Sequence, residues 1–465
     1  MRSKAISSGI WFTISNFIVR SIGLITTPIF TRLLTKSEFG DFNNFATWTG
    51  ILLVIVSLNL EASLIRARFD FEKDLDNYVF SMIALSTFST CLWYAIALIF
   101  RGYLTSFLSM DFKYVTCMFL YLLTYPAINI FQTAERFQYK YKLTVALSMA
   151  VSISTSLLSV LLVYWFPDRL MGRTIGYVLP VFLIGIGLVI YCFQHRCKIK
   201  TSYWKYALPF TLPYIPHLLS MNLLSGLDRI MIKKYCGAED LAIYSLAYTC
   251  GSLITILVSS INSAYSPWLG EKLAKKDYKE IRKLSIPYVA SFWYMAGGTI
   301  LIIPELLFLM GGSAYMEAKY VMPPVAASCI LQFIYCMYVN VEQFEKKTNA
   351  MALASVFSVV INYVSNYIFI IRFGYIAAAY TTYASYFVLM LFHMLIVKKI
   401  GLSKVYHNKI IIMLAIGSLL LVSISNMLVE NSIARYIVLL MYILAGVIVI
   451  YKNKEVAKRI INRRK

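Results

Sequence analysis

Apolar residues arrive along this chain in blocks of about twenty, parted by short polar joints, and that is the length a helix needs to cross the hydrocarbon of a bilayer. Fourteen such blocks can be marked off, at 8–30, 43–60, 78–100, 114–133, 143–165, 172–193, 206–227, 241–263, 286–308, 320–341, 351–371, 375–397, 410–428 and 433–451. They predict an all-α polytopic membrane protein with about fourteen transmembrane helices. The 206–227 block is expected to run on as helix towards Lys234.

Composition agrees. The 465 residues are 59% hydrophobic and 14% charged, whereas a soluble chain carries about 25% charge. No joint is long enough to fold as a separate domain, so whatever the protein does happens within the membrane. The first block is too long for a signal peptide core and lacks a small-residue cleavage site, so it is expected to stay as a span.

Charge then orients the chain. The net charge is +22, which by itself would suit a nucleic-acid ligand, but the distribution points elsewhere. With Arg2 and Lys4 placed inside and sides exchanged at every block, 31 of the 44 Lys and Arg fall inside and 12 outside, and Arg20 is left deep within a block. This follows the positive-inside rule and predicts cytoplasmic N- and C-termini. The largest inside joint, "GEKLAKKDYKEIRKLSIP" (270–287), is expected to lie as an amphipathic segment against anionic headgroups.

Candidate chemistry is sparse. Eight cysteines form no CxxC pair and only four histidines are present, so neither a disulfide framework nor a metal site is expected, "CFQHRC" (192–197) included. No phosphate-binding loop and no nucleophile–base arrangement occurs, which argues against an enzyme and against any cofactor.

Two features suggest a transporter. The stretch "TKSEFGDFNNFAT" (35–47) is echoed by "GAEDLAIYSLAYT" (237–249), with Glu38, Phe39, Gly40 and Phe42 matching Asp240, Leu241, Ala242 and Tyr244. The offset is six blocks, as in transporters built from two parallel repeats. The expected organisation is therefore a six-helix bundle at 1–200, a second at 201–400, and two extra helices with a basic tail at 401–465.

Polar residues also line up. Thr13, Asn16, Arg20, Gly23 and Thr27 share one helical face of the first block. Asn43, Thr47, Gly50, Ser57 and Glu61 form a stripe on the second, and Asn222, Ser225, Arg229 and Lys233 on the seventh, with His217 and Asp228 nearby. Stripes of this kind serve either helix packing through hydrogen bonds or a wet cavity between the halves. An arginine at a helix centre costs roughly 2.5–3.5 kcal/mol on insertion scales, so Arg20 needs a partner or a purpose. Its candidate structural partners are Glu61 and Asp228. Its candidate purpose, shared with Asn16, His217, Asn222, Arg229 and Lys233, is to hold an anionic cargo, since guanidinium groups grip phosphate oxygens in pairs. Glu61, Asp228, Glu305 and Glu342 are candidates for ion coupling. Pro209, Pro213 and Pro216, then Pro304, then Pro323 and Pro324, are expected to kink the seventh, ninth and tenth blocks.

The segments "PIFTRLLTKSEFGDFNNF" (28–45), "GLDRIMIKKYCGAEDLAIYSLAY" (226–248), "SPW" (266–268) and "RFGYIAAAY" (372–380) resemble the polysaccharide repeat-unit flippases of the multidrug/oligosaccharidyl-lipid/polysaccharide exporter superfamily. The resemblance runs through essentially the whole chain, in order. It implies a MATE-like V of two six-helix bundles plus two helices, and a flippase for O-antigen or capsule assembly. That flippase would move undecaprenyl-diphosphate-linked oligosaccharide across the bacterial plasma (inner) membrane by alternating access. Membrane lipids, a polysaccharide polymerase and a chain-length regulator would be its partners, and nucleic acid would not. Pro28, Arg32, Glu38, Gly40, Asp228, Arg229, Gly237 and Tyr244 are the motif positions carried over, most of them shaping the outer hairpins. A peptidoglycan-precursor flippase is the near alternative. A cation-coupled multidrug antiporter would want an acidic cavity, and a membrane-embedded glycan polymerase or ligase a large outer loop.

Overall fold

The structure is a computed structural model that describes residues 2–452 apart from 139, 196 and 346. Among the described residues it is helical throughout, without a strand. The helices are α1 (Arg2–Leu33), α2 (Lys36–Val56), α3 (Leu64–Asp70), α4 (Leu75–Ile99), α5 (Arg101–Leu108), α6 (Phe112–Phe137), α7 (Tyr141–Trp165), α8 (Arg169–Gln194), α9 (Thr201–Thr211), α10 (Ile215–Tyr235), α11 (Ala238–Ala274), α12 (Tyr278–Leu301), α13 (Ile303–Gly311), α14 (Met322–Phe344), α15 (Thr348–Phe373), α16 (Tyr375–Lys399), α17 (Asn408–Leu428) and α18 (Ser432–Lys452).

Among the described residues ten helices are each long and apolar enough to cross a membrane, and α12 with α13, bent by 60° at Ile302, makes an eleventh. Three expected blocks stand outside that set. The 8–30 block lies in α1. The 206–227 block is broken into α9, a 3-10 turn at Leu212–Tyr214, and α10, whose last turns carry Asp228, Arg229, Lys233 and Lys234. The 433–451 block gives a shorter apolar helix, Ser432–Ile448.

Proline explains the breaks, with one correction. Pro209, Pro213 and Pro216 mark the α9–α10 break and Pro304 opens α13 after the bend. Pro323 and Pro324 instead occupy the first turn of α14, where a missing N–H costs nothing and no kink results. The basic 270–287 joint is also not a separate segment. Helix α11 runs to Ala274 and α12 starts at Tyr278, with Lys276 at φ +55° in the turn. Lys272 pairs with Asp277 and Glu280, so part of the joint's charge is neutralised locally.

The chain divides into two compact units, Met1–Ser245 with Ser355–Ala378, and Leu246–Ala354 with Ala379–Lys465. In the first, α8 packs on both α6 and α7, α7 on α1, α4 on α6, and α2 on α10. Lipid is as apolar as leucine, so tight helix contact needs small residues that let backbones close in. Gly172 and Gly176 supply this on α8: a Cβ there would fall 2.5 Å from the Leu162 carbonyl oxygen and 2.3 Å from the Ser159 Cα. Phe45, Trp48, Met118, Leu122 and Val181 fill the core beside them.

In the second unit α14 is central, packed on α12 and α17, with α18 on α12. Its membrane-length window is 83% buried, against 11% for α7. Tyr294 of α12 and Tyr442 of α18 each donate a hydroxyl hydrogen bond to the other's backbone carbonyl, and their rings stack at 4.3 Å. Gly446 and Gly297 leave the notches into which these hydroxyls fit. Arg435 of α18 grips Glu305 of α13 through two bonds of 2.6 Å, and the Tyr436 hydroxyl adds a third.

If the close α7–α8 approach matters, Gly176→Ala should cost about 1–3 kcal/mol of overpacking and lower the melting temperature of the detergent-solubilised protein by several degrees. Gly187→Ala, where a Cβ meets nothing within 4 Å, should leave it unchanged. Equal shifts in the two variants would refute the close-approach account.

Candidate functional site

The two copies of the repeated motif meet. Thr35 caps α2 and Glu38 answers it: the Thr35 N–H donates to the Glu38 carboxylate at 2.8 Å, and the Glu38 N–H to the Thr35 hydroxyl at 3.2 Å. The second copy opens with Gly237 at φ +103°, a backbone that side chains disfavour. One turn into α2 lies Gly40, and a Cβ there would stand 1.9 Å from the Ala238 carbonyl oxygen. Glycine is thus required where the first copy touches the second. That contact joins α2 to the start of α11; next to it, along the α2–α10 seam, Asp41 pairs with Lys233, and a Cβ on Gly226 would come 2.9 Å from the Thr47 methyl.

Asp228 sits behind that seam, 1% exposed. Its carboxylate accepts from the Tyr244 hydroxyl at 2.6 Å and from the Asn366 side-chain amide at 2.6 Å. Asn366 also donates to the Asn362 side chain at 3.1 Å, and all four residues are buried. A carboxylate far from water requires this satisfaction. The pairing links two motif positions, Asp228 and Tyr244, that had no visible relation in one dimension.

The expected cargo contacts are less uniform. Arg20 and Asn16 lie on helix α1, but their side chains fall outside the described residues. On α10 the Asn222 side chain donates to its own helix at the Leu218 carbonyl, 3.0 Å away. Arg229 is half-buried. Lys233 is engaged by Asp41. His217 stands beside the Tyr214 ring at 5.3 Å, with its Nδ1 enclosed and without a hydrogen bond.

The four acidic candidates occupy separate settings. Asp228 belongs to the cluster above. Glu61 lies in the 3-10 turn Leu60–Ser63, with one carboxylate oxygen enclosed and unbonded. Burial pushes its carboxyl above the ordinary range, against a lowering backbone hydrogen bond. Glu305 is held by Arg435 and Tyr436. Glu342 is held by His393, whose Nδ1 is 2.9 and 3.1 Å from its two oxygens.

Sequence reasoning passed over three of these participants. His393 lies 51 residues from its partner and Arg435 130 from its own. Arg173, counted with an outer joint, is 8% exposed, and its guanidinium faces the rings of Phe42 at 3.8 Å and Phe30 at 4.1 Å, tying α8 to α2 and α1. The signal for all three was a charge or a histidine inside an expected span, within a few residues of its end. Among the described residues no group of three His, Cys, Asp or Glu is arranged to hold a metal.

Long apolar helices, polar groups satisfied between helices and cations on helix faces define a multi-pass membrane transporter. The chain belongs to the family described as "Polysaccharide biosynthesis protein", whose model matches residues 6–272, and the MatE model matches 213–368. The Lsg locus putative protein 1 of Haemophilus influenzae is 21% identical over 381 residues, covering 77% of this chain and 89% of its own. The probable low-salt glycan biosynthesis flippase Agl15 of Haloferax volcanii is 22% identical over 173 residues, 36% of this chain and 37% of its own. In fold the chain is similar to the lipid II flippase MurJ in an inward closed conformation, with a TM-score of 0.73 at 13% identity over 96% of this chain and 99% of that one. The fold is MATE-like, and the protein is a flippase of the multidrug/oligosaccharidyl-lipid/polysaccharide exporter superfamily.

The Asp228 cluster is open to test. Tyr244→Phe should cost about 1.5–3 kcal/mol, the worth of a hydrogen bond to a charged group, and much less in an Asp228→Asn background. Thermal melting of the two single variants and the double variant measures this. Strictly additive losses would show that the hydroxyl and the carboxylate do not act as a pair.

Proposed function

We propose that this flippase carries undecaprenyl-diphosphate-linked oligosaccharide repeat units from the inner to the outer leaflet of the bacterial plasma membrane, for surface polysaccharides such as O-antigen or capsule. The observation that carries the reading is the cationic set on α1 and α10, namely Arg20, Arg229 and Lys233, in a chain of the polysaccharide family. A diphosphate cannot cross hydrocarbon bare, and fixed cations in a wet cleft offset its lost hydration. Asn16, Asn222 and His217 add polar contacts. The functional halves are 1–200 and 201–400, with 401–465 appended, and transport proceeds by alternating access.

The α2–α10 seam supplies a release device within this reading. Lys233 is bound by Asp41 here. Parting of the seam would free Lys233 for the headgroup, and re-forming it would discharge the cargo. Glu61, Asp228, Glu305 and Glu342 are the candidate coupling acids. A polysaccharide polymerase and a chain-length regulator are the partners expected downstream.

A second reading, a peptidoglycan lipid-precursor flippase, draws support from the fold match to the lipid II flippase over 96% of the chain. It uses the same headgroup chemistry. The two part in complementation: rescue of a strain depleted of its lipid II flippase favours the second, and restored surface glycan the first.

Arg20→Ala should leave the protein inserted yet abolish surface glycan and leave lipid-linked repeat units on the cytoplasmic leaflet, while lysine at 20 restores part, keeping the charge without the paired geometry. Normal export with alanine at both 20 and 229 would sink the headgroup role. The same reading puts both termini in the cytoplasm. A cysteine placed at Lys454 should then stay unlabelled by an impermeant reagent in intact cells, and labelling would overturn the topology.

A further inference from the structure

Where α2 ends, Leu58 and Asn59 take left-handed backbone angles, φ +52° and +50°, and turn the chain into the 3-10 turn Leu60–Ser63 and the short helix α3. Such angles are unusual without glycine, for leucine above all. The 3-10 turn packs on α9. Here, within the first compact unit, lies a cavity of about 330 Å³ lined by Ser63, Arg66, Asp70, Tyr206, Pro209 and Phe210. None of these residues belongs to the cargo or coupling sets described above.

The lining is held in place but keeps open hydrogen-bonding capacity. Arg66 and Asp70 stand one turn apart on α3, with Nε and Oδ2 at 3.4 Å, and the Tyr206 hydroxyl donates to the same carboxylate oxygen at 2.6 Å. Among the described residues the Arg66 Nη groups and the Asp70 Oδ1 have no further partner. Tyr206 is fixed by Phe71, edge to face at 5.0 Å. Ser63 is buried, its hydroxyl spent between Tyr78 and the Leu60 carbonyl. Phe210 is 51% exposed and offers an uncovered ring.

The depth of the cavity follows from α3. One step round the helix from the charged pair, Ile65 and Phe69 are also exposed. An uncovered apolar pair beside a charged pair suits a helix lying at the headgroup level of a bilayer. In the orientation proposed above that level is the cytoplasmic one, where a lipid-linked glycan presents its sugars.

The chemistry selects a sugar over a phosphate. A phosphate beside Arg66 would also face the Asp70 carboxylate, which repels it, and the pair together carries no net charge. A sugar hydroxyl is both donor and acceptor. Neighbouring hydroxyls can therefore accept from Arg66 while donating to Asp70, in bonds strengthened by the charges. The C–H face of a pyranose is apolar and suits an aromatic ring such as Phe210. A volume of about 330 Å³ is at the small end of ligand pockets, roughly 300–1,000 Å³. It admits one ring with its substituents, not a whole repeat unit.

We propose that this cavity is a sugar subsite, in which Arg66, Asp70, Tyr206 and Phe210 hold one neutral ring of the glycan headgroup as cargo is loaded. The loading role rests on the transport reading above, whereas the subsite stands on its own lining.

The test uses the full chain in lipid nanodiscs, with the methyl glycosides of glucose, galactose, N-acetylglucosamine and N-acetylgalactosamine as probes. Saturation transferred from protein to ligand protons in NMR should reach at least one of them. Phe210→Ala and Asp70→Asn should each melt near the parent temperature and weaken that glycoside's binding at least tenfold. Phe308→Ala, which removes a comparably exposed ring on α13, should not. In cells that depend on this chain, Phe210→Ala should lower surface glycan several-fold at unchanged protein abundance. No transfer to any probe, or transfer that both cavity variants leave intact, would overturn the subsite. So would transfer to glycerophosphoethanolamine alone, which would make the cavity a phospholipid headgroup site. Full export by Phe210→Ala, with its glycoside binding lost, would remove the loading role. If instead deleting the whole chain leaves surface glycan intact, the transport reading fails, while the glycoside experiment still decides the subsite.

Discussion

A polar side chain surrounded by hydrocarbon has no water to turn to, so a charge buried there has to be met by another group of the protein. That constraint fixes much of the architecture. Asp228 is met by Tyr244 and Asn366, from α11 and α15. Arg173 is met by aromatic faces on α1 and α2. Glu305 is met by Arg435, and Glu342 by His393. Apart from Asp228–Tyr244, which joins consecutive helices, each is a tie between helices distant in sequence, and in lipid such ties supply a specificity that apolar contact alone does not.

Close backbone approach is the second source of specificity. Gly172 and Gly176 bring α7 onto α8, and Gly40 admits the Ala238 carbonyl at the seam. Along α2 a glycine contact with the start of α11, an ion pair with α10 and a glycine–threonine contact with α10 follow one another. Ion pairs can exchange partners at modest cost, whereas a backbone contact of this closeness is made or broken as a whole. The seam therefore has the character of a two-state joint.

How far the fold was legible follows from the same physics. Block length reports what hydrocarbon demands, so among the described residues eleven of the expected blocks coincide with a membrane-length helix or a bent pair, and the repeated motif marks segments that touch. Proline position was read correctly where a block does break, at Pro213 and Pro304, and wrongly at Pro323 and Pro324, which stand in the first turn of the helix that forms the block, where proline is permitted. The site was less legible. Arg173 and Arg435 stand within two or three residues of a span end, where a charge reads as interfacial, yet both are buried. Periodicity places Lys233 on a polar face but does not show that Asp41 faces it, and it says nothing of His393 opposite Glu342. Pairing across tens of residues is a property of packing, not of spacing.

The two terminal helices have a mechanical consequence. Helix α18 holds α12 through the Tyr294–Tyr442 exchange and α13 through Arg435 on Glu305, one grip on either side of the 60° bend at Ile302. A rod fastened to both arms of an elbow is a splint. The angle at Ile302 cannot open or close while both fastenings hold, and the mutual fit of hydroxyl and glycine notch allows no sliding to relieve it. The bend thus behaves as a rigid bracket, and any flexing that the cycle needs has to come from other joints of the chain.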